Sequence, residues 1–224
     1  MGVRKTERLV RELARDLAAV RRIPRLRVVA LVLTAGALCL AALVVAALGL
    51  RPDVRAGTAS ASYLGIVAGL GLFSLGGLAA ALGASVPGRE LLARVGLAAL
   101  AAALAIWMAA LFAQLGGGAR LGPLDGAWLR TSARCLLIAT GVGLLPALAL
   151  LRFVGSAFAV NPRVAVGVGA AGMVAFGSLS VHLTCSADEI LHVASAHLIG
   201  PLVMGTLLGL LLGVARRVDP IPRA

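Results

Sequence analysis

VVALVLTAGALCLAALVVAALGL, residues 28–50, runs for 23 residues without a charge. A helix crossing the hydrocarbon core of a bilayer needs ~20 apolar residues, with ~17 as the short limit. This stretch meets that length, and it is too long for the ~7–15-residue apolar region of a cleaved signal peptide. It is therefore read as a retained membrane helix. Working outward, five more charge-free windows follow at residues 56–88, 95–119, 135–151, 164–187 and 190–215. Every Arg, Lys, Asp and Glu of the 224-residue chain lies between windows or beyond them. Arg134 and Arg152 flank the shortest window, where their side chains can snorkel to the headgroups. The chain is 60% hydrophobic and 13% charged, with a mean hydropathy of +1.01. These figures exclude an ordinary soluble domain, a disordered chain and a disulfide scaffold. A membrane β-barrel is disfavoured because the apolar runs are continuous rather than alternating. The expected fold is all-α: a six-transmembrane-helix bundle preceded by a short cytoplasmic amphipathic helix.

The basic residues set the expected orientation. With the N-terminus inside, 16 Arg and Lys fall on the inner side and 5 on the outer side, a strong positive-inside bias. Six crossings return the C-terminus to the cytoplasm. The net charge of +12 then labels topology and gives no ground for direct nucleic-acid binding. The expected organisation is residues 1–27 as a cytoplasmic helix and linker, 28–215 as the membrane domain and 216–224 as a cytoplasmic tail. The Arg51-Pro52-Asp53 and Pro87-Gly88-Arg89 segments read as turns, and Asn161-Pro162 as the start of the fifth helix. Pro146 and Pro201 fall inside helices and are expected to kink them. Gly205, Gly209 and Gly213 form a small-residue ridge, read as packing within the bundle in preference to a dimer seam.

Only residues 1–27 are long enough to have structure outside the membrane. At ~100° per residue, Leu13, Leu17 and Val20 fall within ~80° of Leu9 on one stripe. Arg4, Arg8, Arg11, Arg15 and Arg22 fall opposite. Pro24 breaks the helix before the membrane. The apolar stripe has two readings: it lies on the inner leaflet with its arginines among the headgroups, or it docks in a groove on a cytoplasmic protein.

The membrane windows hold no acid or base except histidine, which gives a transport path little support. There is no Cys-x-x-Cys pair, no phosphate-cradling glycine loop and no His-Glu-x-x-His motif. No catalytic constellation is visible, so the chain is not expected to be an enzyme, and no cofactor is expected. Cys39 reads as a packing residue. Cys135 at the head of the fourth window and Cys185 after the fifth share the outer side. They are candidates for a disulfide or redox-sensing pair. Alternatively, Cys185, His182, Asp188 and His192 are candidates for a soft-metal site, or the thiols are merely interface residues. His192 and His197 are five residues apart, ~140° on an α-helix, so His197 is expected to pack or gate rather than to share a ligand face.

Four features together resemble the NrsF-like family of bacterial inner-membrane anti-sigma factors, negative regulators of an extracytoplasmic-function (ECF) sigma factor. They are the segment from Leu9 through Val20-Arg21-Arg22 to Pro24, the Leu50-Arg51-Pro52-Asp53 turn, the isolated Cys135, and Leu183-Thr184-Cys185-Ser186-Ala187-Asp188 before a histidine-bearing last helix. The resemblance spans nearly the whole chain. It implies that the N-terminal segment binds the sigma factor, through Leu9, Leu13, Leu17, Val20, Arg21 and Arg22. It also implies that Cys135 and Cys185 are the stress-responsive thiols. The expected partners are an ECF-type sigma factor and membrane lipid; the oligomeric state is left open. Two other functions compete with this reading: a small transporter or permease component, and a structural membrane subunit clamped to lipid by its basic helix.

Overall fold

The computed structural model describes Glu7, residues 25–156 and residues 162–218. Leu9, Leu13, Leu17, Val20, Arg21 and Arg22, and with them the expected amphipathic helix, lie outside the described residues.

Among the described residues the chain is helical, with no strand. The elements are α1 (Leu26–Leu48), α2 (Pro52–Ala56), α3 (Ala61–Ser85), α4 (Glu90–Gly116), α5 (Gly126–Ser156) and α6 (Pro162–His182). A last composite helix follows: α7 (Ile190–His192), a π-helical segment (Val193–Ile199) and α8 (Gly200–Val218). Among the described residues six stretches are long and apolar enough to cross a membrane: Leu26–Leu48, Ala61–Ser85, Glu90–Gly116, Gly126–Val154, Ala165–His182 and Ile190–Leu211.

Local chemistry explains several boundaries. Ser60 caps α3, its hydroxyl accepting from the Tyr63 N–H at 3.2 Å. Asp125 does the same ahead of α5, accepting from Trp128 N–H at 2.8 Å. This cap starts α5 at Gly126, earlier than the charge-free window suggested. Cys135 consequently lies about two and a half turns inside the helix, not at its head. Pro52 and Pro162 each begin a helix, where a missing N–H costs nothing. The expected Arg51–Asp53 turn is the start of the one-and-a-half-turn helix α2. Between α3 and α4 the chain reverses at Gly88, whose φ of +80° suits glycine.

The fifth span, α6, is the hub. It packs against α1, α3, α5, α8 and the π-segment, and 83% of its most apolar window is buried. Its composition explains this role: a helix surrounded by others must be thin. A Cβ on Gly77 of α3 would stand 2.9 Å from Gly172 Cα of α6. A Cβ on Gly177 of α6 would collide with the Ala139 carbonyl of α5. Gly205 of α8 faces Ala171 in the same way, at 2.6 Å from its Cα. The Gly205 and Gly209 positions are thus taken up by α6, in line with packing inside the bundle. By contrast α1 and α4 lie at the periphery, with 17% and 22% of their windows buried. Leu31, Leu43, Leu91 and Phe112 point outward from them, as suits an apolar solvent.

Candidate functional site

Three connections share one end of the bundle: residues 49–60, 117–125 and 183–189. Backbone hydrogen bonds knit them together. Arg51 N–H donates to Leu183 O at 3.0 Å, Ile190 N–H to Arg120 O at 3.1 Å, and Leu191 N–H to Leu121 O at 3.2 Å. Gly122 allows the close approach of Glu189, since a Cβ there would fall 2.7 Å from the Glu189 Cβ. Beneath these loops lies a cluster of sulfur and imidazole groups.

Cys185 sits just past the end of α6, its N–H bonded to Val181 O at 2.8 Å. Its Sγ faces Cys135 Sγ of α5 at 3.8 Å, and both cysteines are free thiols. His192 Nε2 lies 3.3 Å from Cys185 Sγ, and His197 Nε2 lies 3.2 Å from His192 Nε2. Behind them, Ser132 Oγ of α5 is 2.9 Å from His192 Nδ1. The ligating atoms of Cys135, Cys185, His192 and His197 all fall within 4.8 Å of one another. Both of these imidazoles are buried, His192 to 1% exposure and His197 to 0%. A cleft of about 390 Å³, lined by Arg130, Arg134, Cys135, Thr184 and Cys185 among others, reaches the thiols.

The presence of His197 in this cluster corrects the α-helical expectation. Residues 193–199 form a π-helix, in which Gly200 N–H reaches Ser195 O. Hydrogen bonds running five residues back stack residues five apart, and so His197 comes under His192. Pro201 supplies the cause. It has no N–H for the carbonyl of His197, four residues earlier, which would otherwise be left unpaired. Ser178 of α6 fills the gap, its hydroxyl donating to His197 O at 2.6 Å.

The other two candidates for a metal site stand beside this group without joining its ligand atoms. Asp188 pairs with Arg51, whose Nη1 and Nη2 reach its two carboxylate oxygens at 2.6 and 2.8 Å. Arg51 Nε also bonds Asp53 at 2.7 Å, and its Nη1 donates to Cys185 O at 3.3 Å. The guanidinium lies 4.7 Å from the centroid of the Tyr63 ring. Burial opposes the Arg51 charge, but Asp188 and Asp53 outweigh it and hold its pKa above the ordinary value. The same hydrogen bond holds the Asp53 carboxyl below the usual range. His182 stacks on Tyr63 at 4.8 Å and meets His197 edge-on at 5.0 Å. Tyr63 in turn donates to His182 O at 3.2 Å. Cys39 is exposed on α1, apart from the cluster.

The environment favours a thiolate at Cys185. The Cys135 S–H directed at it acts most strongly, and His192 and His197 add to the effect against the opposing pull of burial. The Cys185 pKa is accordingly lowered. Arg51, Tyr63, Ser132 and His197 were missed as members of this assembly by sequence reasoning. The one available signal was Pro201 four residues after His197.

Comparison with known proteins gives one positive finding: the family model described as NrsF, negative regulator of sigma F, matches residues 13–216. No curated protein matches the chain. No solved structure matches it.

Proposed function

The chain belongs to the family of negative regulators of sigma F, and from that premise we propose a membrane-embedded anti-sigma factor released by stress at its outer thiols. The coarse function, negative regulation of a sigma factor through binding that factor, follows from family membership. The finer reading is that the partner is an ECF-type sigma factor, held at the inner membrane with both chain termini in the cytoplasm. The N-terminal segment holds it through the stripe of Leu9, Leu13, Leu17 and Val20, with Arg21 and Arg22 adding electrostatic steering. An envelope redox or metal stress acts on Cys135 and Cys185 and weakens that grip.

One observation carries this reading. Cys185 is tied through its carbonyl and Asp188 to Arg51, three residues past the end of α1. Helix α1 is the span that leads back to the N-terminal segment. In an oxidising compartment a peroxide-class oxidant would take two electrons from the sulfurs, leaving as water with the protons they hold, and the sulfurs would draw together from 3.8 Å to the ~2.05 Å of a disulfide. That movement displaces the 183–189 loop against α1. The α1 helix, lightly packed at the periphery, is the element free to shift.

The test uses the full chain in membranes with its cognate sigma factor. Leu13→Asp places a charge in the apolar stripe, and sigma-factor retention is expected to fall at least tenfold while membrane insertion is unchanged. Retention unaffected by Leu13→Asp would overturn the assignment of the N-terminal segment.

A further inference from the structure

We propose that Cys135, Cys185, His192 and His197 form a tetrahedral binding site for a zinc-class divalent cation. The physiological use of this site rests on the sensing role proposed above; the binding itself is a separate chemical claim. Two thiolates and two imidazoles are the ligand set of tetrahedral zinc centres, at about 2.3 Å to sulfur and about 2.0–2.1 Å to nitrogen. Those bond lengths fix the edges of the tetrahedron at about 3.8 Å between sulfurs, about 3.5 Å between sulfur and nitrogen, and about 3.3 Å between nitrogens. The corresponding separations here are 3.8, 3.3 and 3.2 Å. No ligand pair exceeds 4.8 Å, so the remaining edges close with side-chain movements of about 1 Å.

Three further features fit a cation. Ligation through His192 Nε2 requires its proton on Nδ1, and Ser132 Oγ stands 2.9 Å away to accept it. Such an outer partner is the usual means of orienting a metal-binding imidazole. Two buried imidazoles otherwise face each other through Nε2 at 3.2 Å, where one ring must give up a proton to pair with the other; a cation shared between them takes both lone pairs. Finally, the charges balance. A divalent ion displaces whatever protons the two sulfurs still hold, and the resulting complex with two thiolates and two neutral imidazoles carries no net charge, which suits the buried imidazole half of the site. A cleft lined by Thr131, Thr184 and Ser186 as well as Arg130 and Arg134 opens onto the sulfurs.

Metal binding and disulfide formation use the same two sulfurs and exclude each other. The loaded site would shield the thiols, and a peroxide-class oxidant, reduced to water as it takes two electrons from the sulfurs, would leave a disulfide in place of two thiolates and so expel the ion.

The experiment takes the purified full chain, reduced with a phosphine and freed of metal, and titrates it with Co²⁺ and then Zn²⁺. One equivalent of Co²⁺ is expected to give the visible spectrum of a tetrahedral ion and a sulfur-to-metal charge-transfer band, both removed by Zn²⁺. X-ray absorption at the zinc edge of the unmutated chain should show two sulfur and two nitrogen neighbours. Affinity should fall at least tenfold in His192→Gln and in His197→Gln, and hold within twofold in Cys39→Ser, a position exposed on α1 and apart from the cluster. A sulfur-only shell, an octahedral spectrum, or affinity indifferent to both histidine variants would overturn the site. Sigma-factor retention is scored in the same preparations. A four-ligand site with retention indifferent to metal and oxidant leaves this inference standing and sinks the sensing role. Retention that follows thiol oxidation in a protein binding no metal does the reverse.

Discussion

Replacing Arg51 with alanine should loosen the cysteine loop and release the sigma factor without any stress. Arg51 is 8% exposed and serves four groups: two oxygens of Asp188, Asp53, the Cys185 carbonyl and the Tyr63 face. A hydrogen bond to a charged group contributes about 1.5–3 kcal/mol when both partners are buried. Asp188 is 68% exposed, so water takes over its solvation and most of that figure is lost. Allowing roughly 1 kcal/mol for the bidentate pair and a similar amount for the carbonyl and ring contacts, the tether contributes about 2 kcal/mol. If that energy favours the sigma-holding arrangement, its loss shifts the balance about 30-fold toward release. Arg51→Lys keeps the charge but not the two-pronged geometry, and should fall in between. Asp188→Ala should reproduce part of the effect. The double variant should be less than additive, with a coupling of about 1 kcal/mol in a double-mutant cycle. The assays are sigma-factor retention and the alkylation rate of Cys185 in intact membranes. Unchanged retention and alkylation in Arg51→Ala, or strict additivity with Asp188→Ala, would refute the tether.

Packing gives a second prediction. Gly177→Ala drives a methyl into the Ala139 carbonyl, and backbone cannot yield as a side chain does. It should cost about 3 kcal/mol, the upper end for overpacking. Gly167→Ala, with nothing within 4 Å of the new methyl, should be nearly neutral; denaturant titration in detergent compares the two. The third concerns pH. The lowered Cys185 pKa keeps its thiolate populated below the ordinary thiol range of about 8.5, so its alkylation rate should stay nearly flat from about pH 8 to about pH 6. A group depressed in the folded state stabilises the fold above its unfolded pKa, and that stability is lost as pH falls through the folded value. A tenfold fall in alkylation per pH unit across that range would show an unperturbed thiol.

The six spans were legible from the distribution of 30 charges, because excluding charge from hydrocarbon is a rule about consecutive residues and needs no knowledge of neighbours. The pairing of Cys135 with Cys185 was within reach, since both fall at one end of the bundle once the crossings are counted. Two expectations drawn from the same residues failed for one reason. Asp188 was grouped with Cys185 by closeness in sequence, yet its charge is spent on Arg51, 137 residues away. His197 was set aside because an α-helix turns it away from His192, yet the backbone there is π-helical. Composition and charge order alone determined a six-helix membrane bundle and its expected orientation. Tertiary structure decided which side chains meet, because a proline-induced change of hydrogen-bond register, completed by Ser178 from another helix, is what brings the second imidazole to the thiols.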